Sequence, residues 1–309
     1  MTYGYFIKFF LILTVATLAC GLASPASYSP TSAPDQEAAP VPTVSAPSLT
    51  AEQLKNAQYQ LGARDDHTVV QLIDGKYQQG ADAIALDYAY IGLTDFVFIG
   101  DLTGDGINEA AAIFIENYGG TGNFGFLAIY SNVNGLPVFL YSTIIDDRPM
   151  INEVNIENGE VYLDATIHGF EDPGCCPALS TTRRYALVNN QLRLTNYTTA
   201  IPDGTRRVIE ITSPANAAQA AGNVQVSGTV SIAPFENNLS YFIYDEAGNQ
   251  LAAGPVPVTA PDFGAPGTFN ETIALAAIPA GTTIYLEIQD VSAADGTLLA
   301  LDVVKLLVK

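Results

Sequence analysis

Residues 98–114 read FIGDLTGDGINEAAAIF and set oxygen-bearing groups at alternate positions. Counting from Asp101, the side chains of Asp101, Thr103, Asp105 and Glu109 fall at one, three, five and nine, with Gly106 at six and the Ile107 carbonyl at seven. A hard cation such as calcium takes six or more oxygens at short range, and a tight loop with glycine at six can turn alternate residues inward. Position twelve is Ala112, where a helix–loop–helix site needs a bidentate Glu, so that version is absent and a calcium loop of another kind stays open. The alternative is an acidic β-turn, since Gly-Asp and Asp-Gly are turn dipeptides.

A second reactive stretch is HGFEDPGCCPALS, with His168 seven residues before the adjacent pair Cys175 and Cys176. Neighbouring Cα atoms lie about 3.8 Å apart, inside the usual range for a disulfide, so a vicinal bond needs a rearranged turn. Gly174 and Pro177 can supply it. Three states stay open for the pair: a vicinal disulfide, reduced thiols, or a bond between molecules. Zinc is disfavoured, because adjacent cysteines lack structural-site spacing and His168 does not complete four ligands. His168 could activate Cys175, yet the sequence identifies no third group to orient it. His67 is the other histidine, and neither G-x-S-x-G nor S-x-x-K occurs. ENYGGTGNFGF lacks the Lys and Ser offsets of a phosphate loop and reads as a hairpin tip.

The chain that carries these groups begins with one basic residue, Lys8, and an apolar run from Phe9 to Ala19. That run is short for a permanent span and suits a signal peptide over residues 1–23. It ends in TLAC, which resembles a bacterial lipoprotein signal and implies lipidation of Cys20; cleavage near Ala23 and simple secretion is the alternative. Residues 24–49 hold six prolines among Ser, Thr and Ala and few large aliphatics. Such a segment cannot bury enough apolar area to order itself, so it reads as an extended tether. The expected location is the outer face of the cell membrane.

Lys and Arg number 12 against 32 Asp and Glu, a net charge of −20. Phosphates would be repelled, which excludes nucleic acid as a partner and favours cations. The 309 residues suit two domains beyond the tether.

Residues 50–200 form the first. Thr50 and Gln53 have capping-box spacing, which predicts one short helix. Short runs rich in Val, Ile, Phe and Tyr follow, with Asn134-Gly135 and Asn158-Gly159 as hairpin turns. The expectation is an antiparallel β domain, sandwich or barrel, with a minor helix. The combination of VQLIDGKY, GDLTGDGINEAAAIF, NYGGTGNFGFLAIY, DDRPMI and HGFEDPGCCPALS resembles a domain of bacterial exported proteins and lipoproteins, and implies no activity. The acidic stretch by itself resembles the strand–loop–strand calcium motif of FG-GAP and dockerin-like sequences.

Residues 207–309 form the second domain. NVQVSGTV, LSYFIYD and TIYLEIQD alternate apolar and polar, as half-buried sandwich strands do. ITSPAN near its start, FE before a strand, DEAG and SAADG resemble the bacterial spore germination immunoglobulin-like domain, which implies an immunoglobulin-like β-sandwich. Function resides in sites rather than folds, so the resemblance names no role in germination.

Two functions follow as expectations. One is a non-catalytic, lipid-anchored cell-envelope protein whose acidic β domains bind a surface protein, glycan or calcium. The other is an extracytoplasmic enzyme or thiol-redox module using His168 with Cys175 and Cys176.

Overall fold

The computed structural model describes residues 47–64 and 67–309. The expected signal peptide, Cys20 and the tether up to residue 46 lie outside them. No helix among the described residues is long and apolar enough to cross a membrane.

The predicted helix α1 (Ala51–Leu54) is present and capped as its spacing requires. The Thr50 hydroxyl accepts from the Gln53 N–H at 3.3 Å, and Gln53 Oε1 accepts from the Thr50 N–H at 2.8 Å. Leu49 is 2 % exposed and packs with Leu54, so the expected end of the tether lies inside the fold. Its aliphatic side chain gains more from burial than an extended tether would give it.

β1 (Gln58–Gln60) and β2 (Val69–Gln71) pair beside α1. β3 (Lys76–Gln79), β4 (Ala89–Gly100), β5 (Glu109–Asn117), β6 (Phe124–Val133) and β7 (Leu136–Asp147) make an antiparallel sheet in chain order. The apolar run of β5 is explained by what lies on each side of it. Ala110, Ala112 and Phe114 meet Tyr59, Leu61 and Leu72 on one face. Ala111 and Ile113 meet Val161, Leu163 and Ala165 on the other. A strand covered on both faces loses the polar half of its alternation.

The second cover is another meander: β8 (Met150–Glu157), β9 (Glu160–Ile167), β10 (Leu179–Val188) and β11 (Gln191–Ala200). Both predicted Asn-Gly turns close hairpins at positive φ, 55° and 83° at Asn134-Gly135 and 54° and 78° at Asn158-Gly159.

The remaining strands are β12 (Arg206–Arg207), β13 (Ile209–Ser213), β14 (Ala218–Ala220), β15 (Asn223–Val230), β16 (Asn238–Asp245), β17 (Gln250–Thr259), β18 (Gly267–Ala274), β19 (Thr283–Val291) and β20 (Leu298–Val308). They form a sandwich. Val224, Val226 and Phe269 from β15 and β18 face Ile243, Ile284, Leu286, Val304 and Leu306 from β16, β19 and β20. β17 changes sheets along its length, pairing β16 up to Pro257 and β18 at Val258 and Thr259. Gly228 on β15 permits a close approach, since a Cβ there would collide with the Glu210 carbonyl and the Phe269 ring.

The two expected domains share one sheet. β20 lies between β19 and β11, with Asn196 opposite Asp302, Tyr197 opposite Leu301 and Thr198 opposite Ala300. All described residues belong to a single compact unit. Joining β11 to β20 covers two edges that separate sheets would leave unpaired.

Candidate functional site

The acidic stretch forms the turn between β4 and β5. The Asp101 carboxylate accepts backbone N–H groups from Thr103, Gly104 and Gly106 at 3.2, 2.7 and 2.8 Å. These donors, Gly106 foremost, hold its carboxyl below the usual range. Gly104 and Gly106 sit at φ 78° and 82°, a conformation that side chains rarely adopt. Asp105 Oδ1 accepts from the Ile107 N–H at 2.7 Å, and the Thr103 hydroxyl lies 3.5 Å from Asp101. Glu109 is buried, and its Oε2 accepts from the Leu102 N–H at 2.8 Å. Burial first, with Asp105 and Asp101 adding to it, raises the Glu109 carboxyl. Three carboxylates thus accept from backbone N–H groups in and around the turn. Among the described residues, no three His, Cys, Asp or Glu side chains converge as a metal cluster.

The cysteine stretch is an exposed loop between β9 and β10. Cys175 and Cys176 are joined to each other, their Cα atoms 3.8 Å apart. Asp172 anchors the base of this loop by accepting from the Gly169 and Ala178 N–H groups at 2.8 and 2.7 Å. His168 has an orienting partner that the sequence did not identify. Asp146 Oδ2 accepts its backbone N–H at 2.6 Å and lies 2.8 Å from its Nδ1. The pairing fixes the ring, and Nε2 is enclosed with no hydrogen-bond partner among the described residues. Register explains the omission: β7 brings Asp146 beside a residue 22 positions later, a contact that no local spacing encodes. His67 lies far from this pair in the chain, with its Nδ1 3.1 Å from Gln60 Nε2.

Glu116 also escaped sequence reading. It is fully buried on β5, and its two oxygens accept from Tyr59 Oη at 2.6 Å, Tyr118 Oη at 2.7 Å, the Gly62 N–H at 2.7 Å and the Ala63 N–H at 3.0 Å. A buried carboxylate with four donors is a structural anchor for the loop after β1. Burial and the adjacent carboxylate push the Tyr59 phenol well above its ordinary value.

A concave surface of about 870 Å³ lies at one end of the C-terminal sandwich. Four connections converge there: the turn from β11 to β12, and the connections β15–β16, β17–β18 and β19–β20. Phe235 and Phe263 flank it and are 58 % and 79 % exposed. Glu236 and Asn237, at φ 54° and 52°, form the left-handed turn that follows Phe235. Arg207 and Asp290 lie 3.1 Å apart in its wall. Burial raises the Asp290 carboxyl while Arg207 acts in the opposite sense. The signal for this groove was present as two phenylalanines in polar, proline- and glycine-rich connections, where an aromatic side chain has no strand face to fill.

Residues 208–297 match the family model of the immunoglobulin-like domain of bacterial spore germination. The C-terminal region is therefore an immunoglobulin-like domain of that kind, as the resemblance implied; β20 follows the matched residues and completes its sheet. No curated protein matches the chain.

Proposed function

We propose that this chain, with its C-terminal immunoglobulin-like domain, is a non-catalytic protein of the bacterial cell envelope, anchored through a lipidated Cys20 and presenting its β domains to a surface partner. The observation that carries this reading is the groove flanked by Phe235 and Phe263, whose volume suits a ligand. Large exposed aromatics grouped at the loop end of a sandwich are surface that a monomer does not need for its own core. Calcium belongs to the same proposal as a ligand of the Asp101–Glu109 turn, supported by the exposure of Thr103 and Asp105 and by the ionised state of Asp101.

Membrane fractionation tests the anchor: Cys20→Ser is expected to release the chain from the membrane, and unchanged fractionation overturns that part. A broad hydrolase and redox screen tests the rest. Turnover lost on His168→Ala or Cys175→Ser would overturn a non-catalytic role.

The second reading, a thiol-redox module, is favoured by the exposed Cys175–Cys176 pair following the Asp146-oriented His168. It requires exchange with a dithiol reductant at a rate that falls in His168→Ala.

A further inference from the structure

We infer that the groove at the end of the sandwich takes a polypeptide segment carrying both basic and apolar residues. This rests on the binding role proposed above and specifies the occupant. The floor and flanks are apolar: Phe235, Phe263, Ile232, Val291 and Leu299 all line it. Its rim is acidic. Asp203 lines the groove, while Glu236, Asp262 and Asp295 are immediate chain neighbours of lining residues. Backbone N–H groups hold two of these carboxylates ionised, with Thr205 donating to Asp203 at 2.8 Å and Thr297 to Asp295 at 3.0 Å. Arg207 is the cation among the lining residues, and its charge is matched by Asp290.

An occupant must therefore bring positive charge to the rim and apolar surface to the phenylalanines. A polypeptide with alternating basic and apolar side chains does both at the spacing of one short segment. A neutral glycan fits less well, because polar groups that line the groove are already engaged. Ser231 Oγ donates to the Arg206 carbonyl at 2.7 Å and accepts from Val208, Asp203 accepts from Thr205, and Arg207 is held by Asp290. Hydroxyl recognition needs open donors and acceptors. A second copy of this chain is a poor occupant too, with 12 basic residues against 32 acidic ones.

The test is a titration of the full chain with three probes: a fluorescent peptide of alternating lysine with leucine or phenylalanine, the same peptide with glutamate for lysine, and a chito-oligosaccharide. The lysine peptide is expected to bind and the glutamate peptide not to bind. Phe235→Ser and Phe263→Ser are each expected to weaken binding about 10-fold or more, as loss of an aromatic anchor does. Both side chains are exposed, so unchanged circular dichroism and Tm would show that the fold survives. Asp203→Asn with Asp262→Asn is expected to flatten the salt dependence. Equal binding of the two peptides, or binding indifferent to both phenylalanines, overturns the inference. Oligosaccharide binding that needs Phe235 and Phe263 overturns the polypeptide occupant and leaves the binding role standing. Failure of all three probes overturns the inference, while the anchor and the non-catalytic role are tested separately by fractionation and by the turnover screen.

Discussion

Asn196 on β11 donates its side-chain amide to Asp302 on β20 at 3.1 Å, across the ladder where the two expected domains become one sheet. The other Asp302 oxygen accepts from the Ile211 N–H at 2.8 Å. Arg193, on the same strand as Asn196, reaches Glu287 on β19 at 3.3 Å and lies 4.2 Å from the centre of the Tyr285 ring. Removing one donor from a half-buried carboxylate leaves it under-satisfied, so Asn196→Ala is expected to cost about 1–3 kcal/mol. Urea unfolding followed by tyrosine fluorescence and by circular dichroism checks this. Both probes are expected to report one shared transition, and two separated midpoints would contradict a joint sheet.

Burial raises the Asp302 carboxyl above its ordinary range. A raised folded-state value means that the folded chain holds this proton more tightly than the unfolded chain. The group therefore favours folding below the ordinary aspartate value and loses that contribution as pH rises through the raised one. Measured against Asp302→Asn, the native chain is expected to gain Tm as pH falls from neutrality towards the ordinary aspartate range. A difference independent of pH would contradict the assignment, and comparison with the variant cancels the titration of the other acids.

Glu116 is fully buried and accepts from Tyr59, Tyr118 and two backbone N–H groups. Tyr59→Phe removes one donor and is expected to cost about 1–2 kcal/mol in urea unfolding. Glu116→Ala removes the acceptor shared by four donors and opens space beside Tyr59, for about 2–5 kcal/mol. If both variants unfolded at the native midpoint, Glu116 would not anchor this loop.

The Cys175–Cys176 ring closes no chain loop, so it removes little entropy from the unfolded state. Cys175→Ser with Cys176→Ser is expected to shift stability by less than about 1 kcal/mol, well below an ordinary disulfide. Alkylation followed by mass measurement is expected to label the pair only after reduction. Labelling without reductant would mean free thiols.

Calcium ligation by the Asp101–Glu109 turn predicts a Tm that rises in millimolar calcium chloride and does not rise in Asp105→Ala. An unchanged Tm in both proteins would leave the stretch as a turn.

Period-two patterns made most strands legible, and the capping box and Asn-Gly turns located their features to the residue. β5 was legible as a strand but not as the middle layer, because a run of alanines does not say what covers its two faces. The continuity of the sheet was hidden for a similar reason. β11 and β20 look like ordinary strands, and their pairing joins residues about a hundred positions apart, so no local pattern marks it. At the sites, the acidic turn was visible because its groups are neighbours. Asp146 and Glu116 gain their roles from register, and the groove from four separated connections.

The position of β20 sets an order of events during synthesis. It pairs with β19 on one side and with Asn196, Tyr197 and Thr198 of β11 on the other, so this edge of β11, whose opposite edge pairs β10, waits for roughly a hundred further residues before β20 exists. At translation rates of about 5–20 residues per second, that is roughly 5–20 s with a strand edge open to any other chain nearby. A nascent chain stalled before Leu298 would then carry an open edge at Asn196, Tyr197 and Thr198 although every residue of the first half had been made. Completion of one half is thus timed by the synthesis of the other.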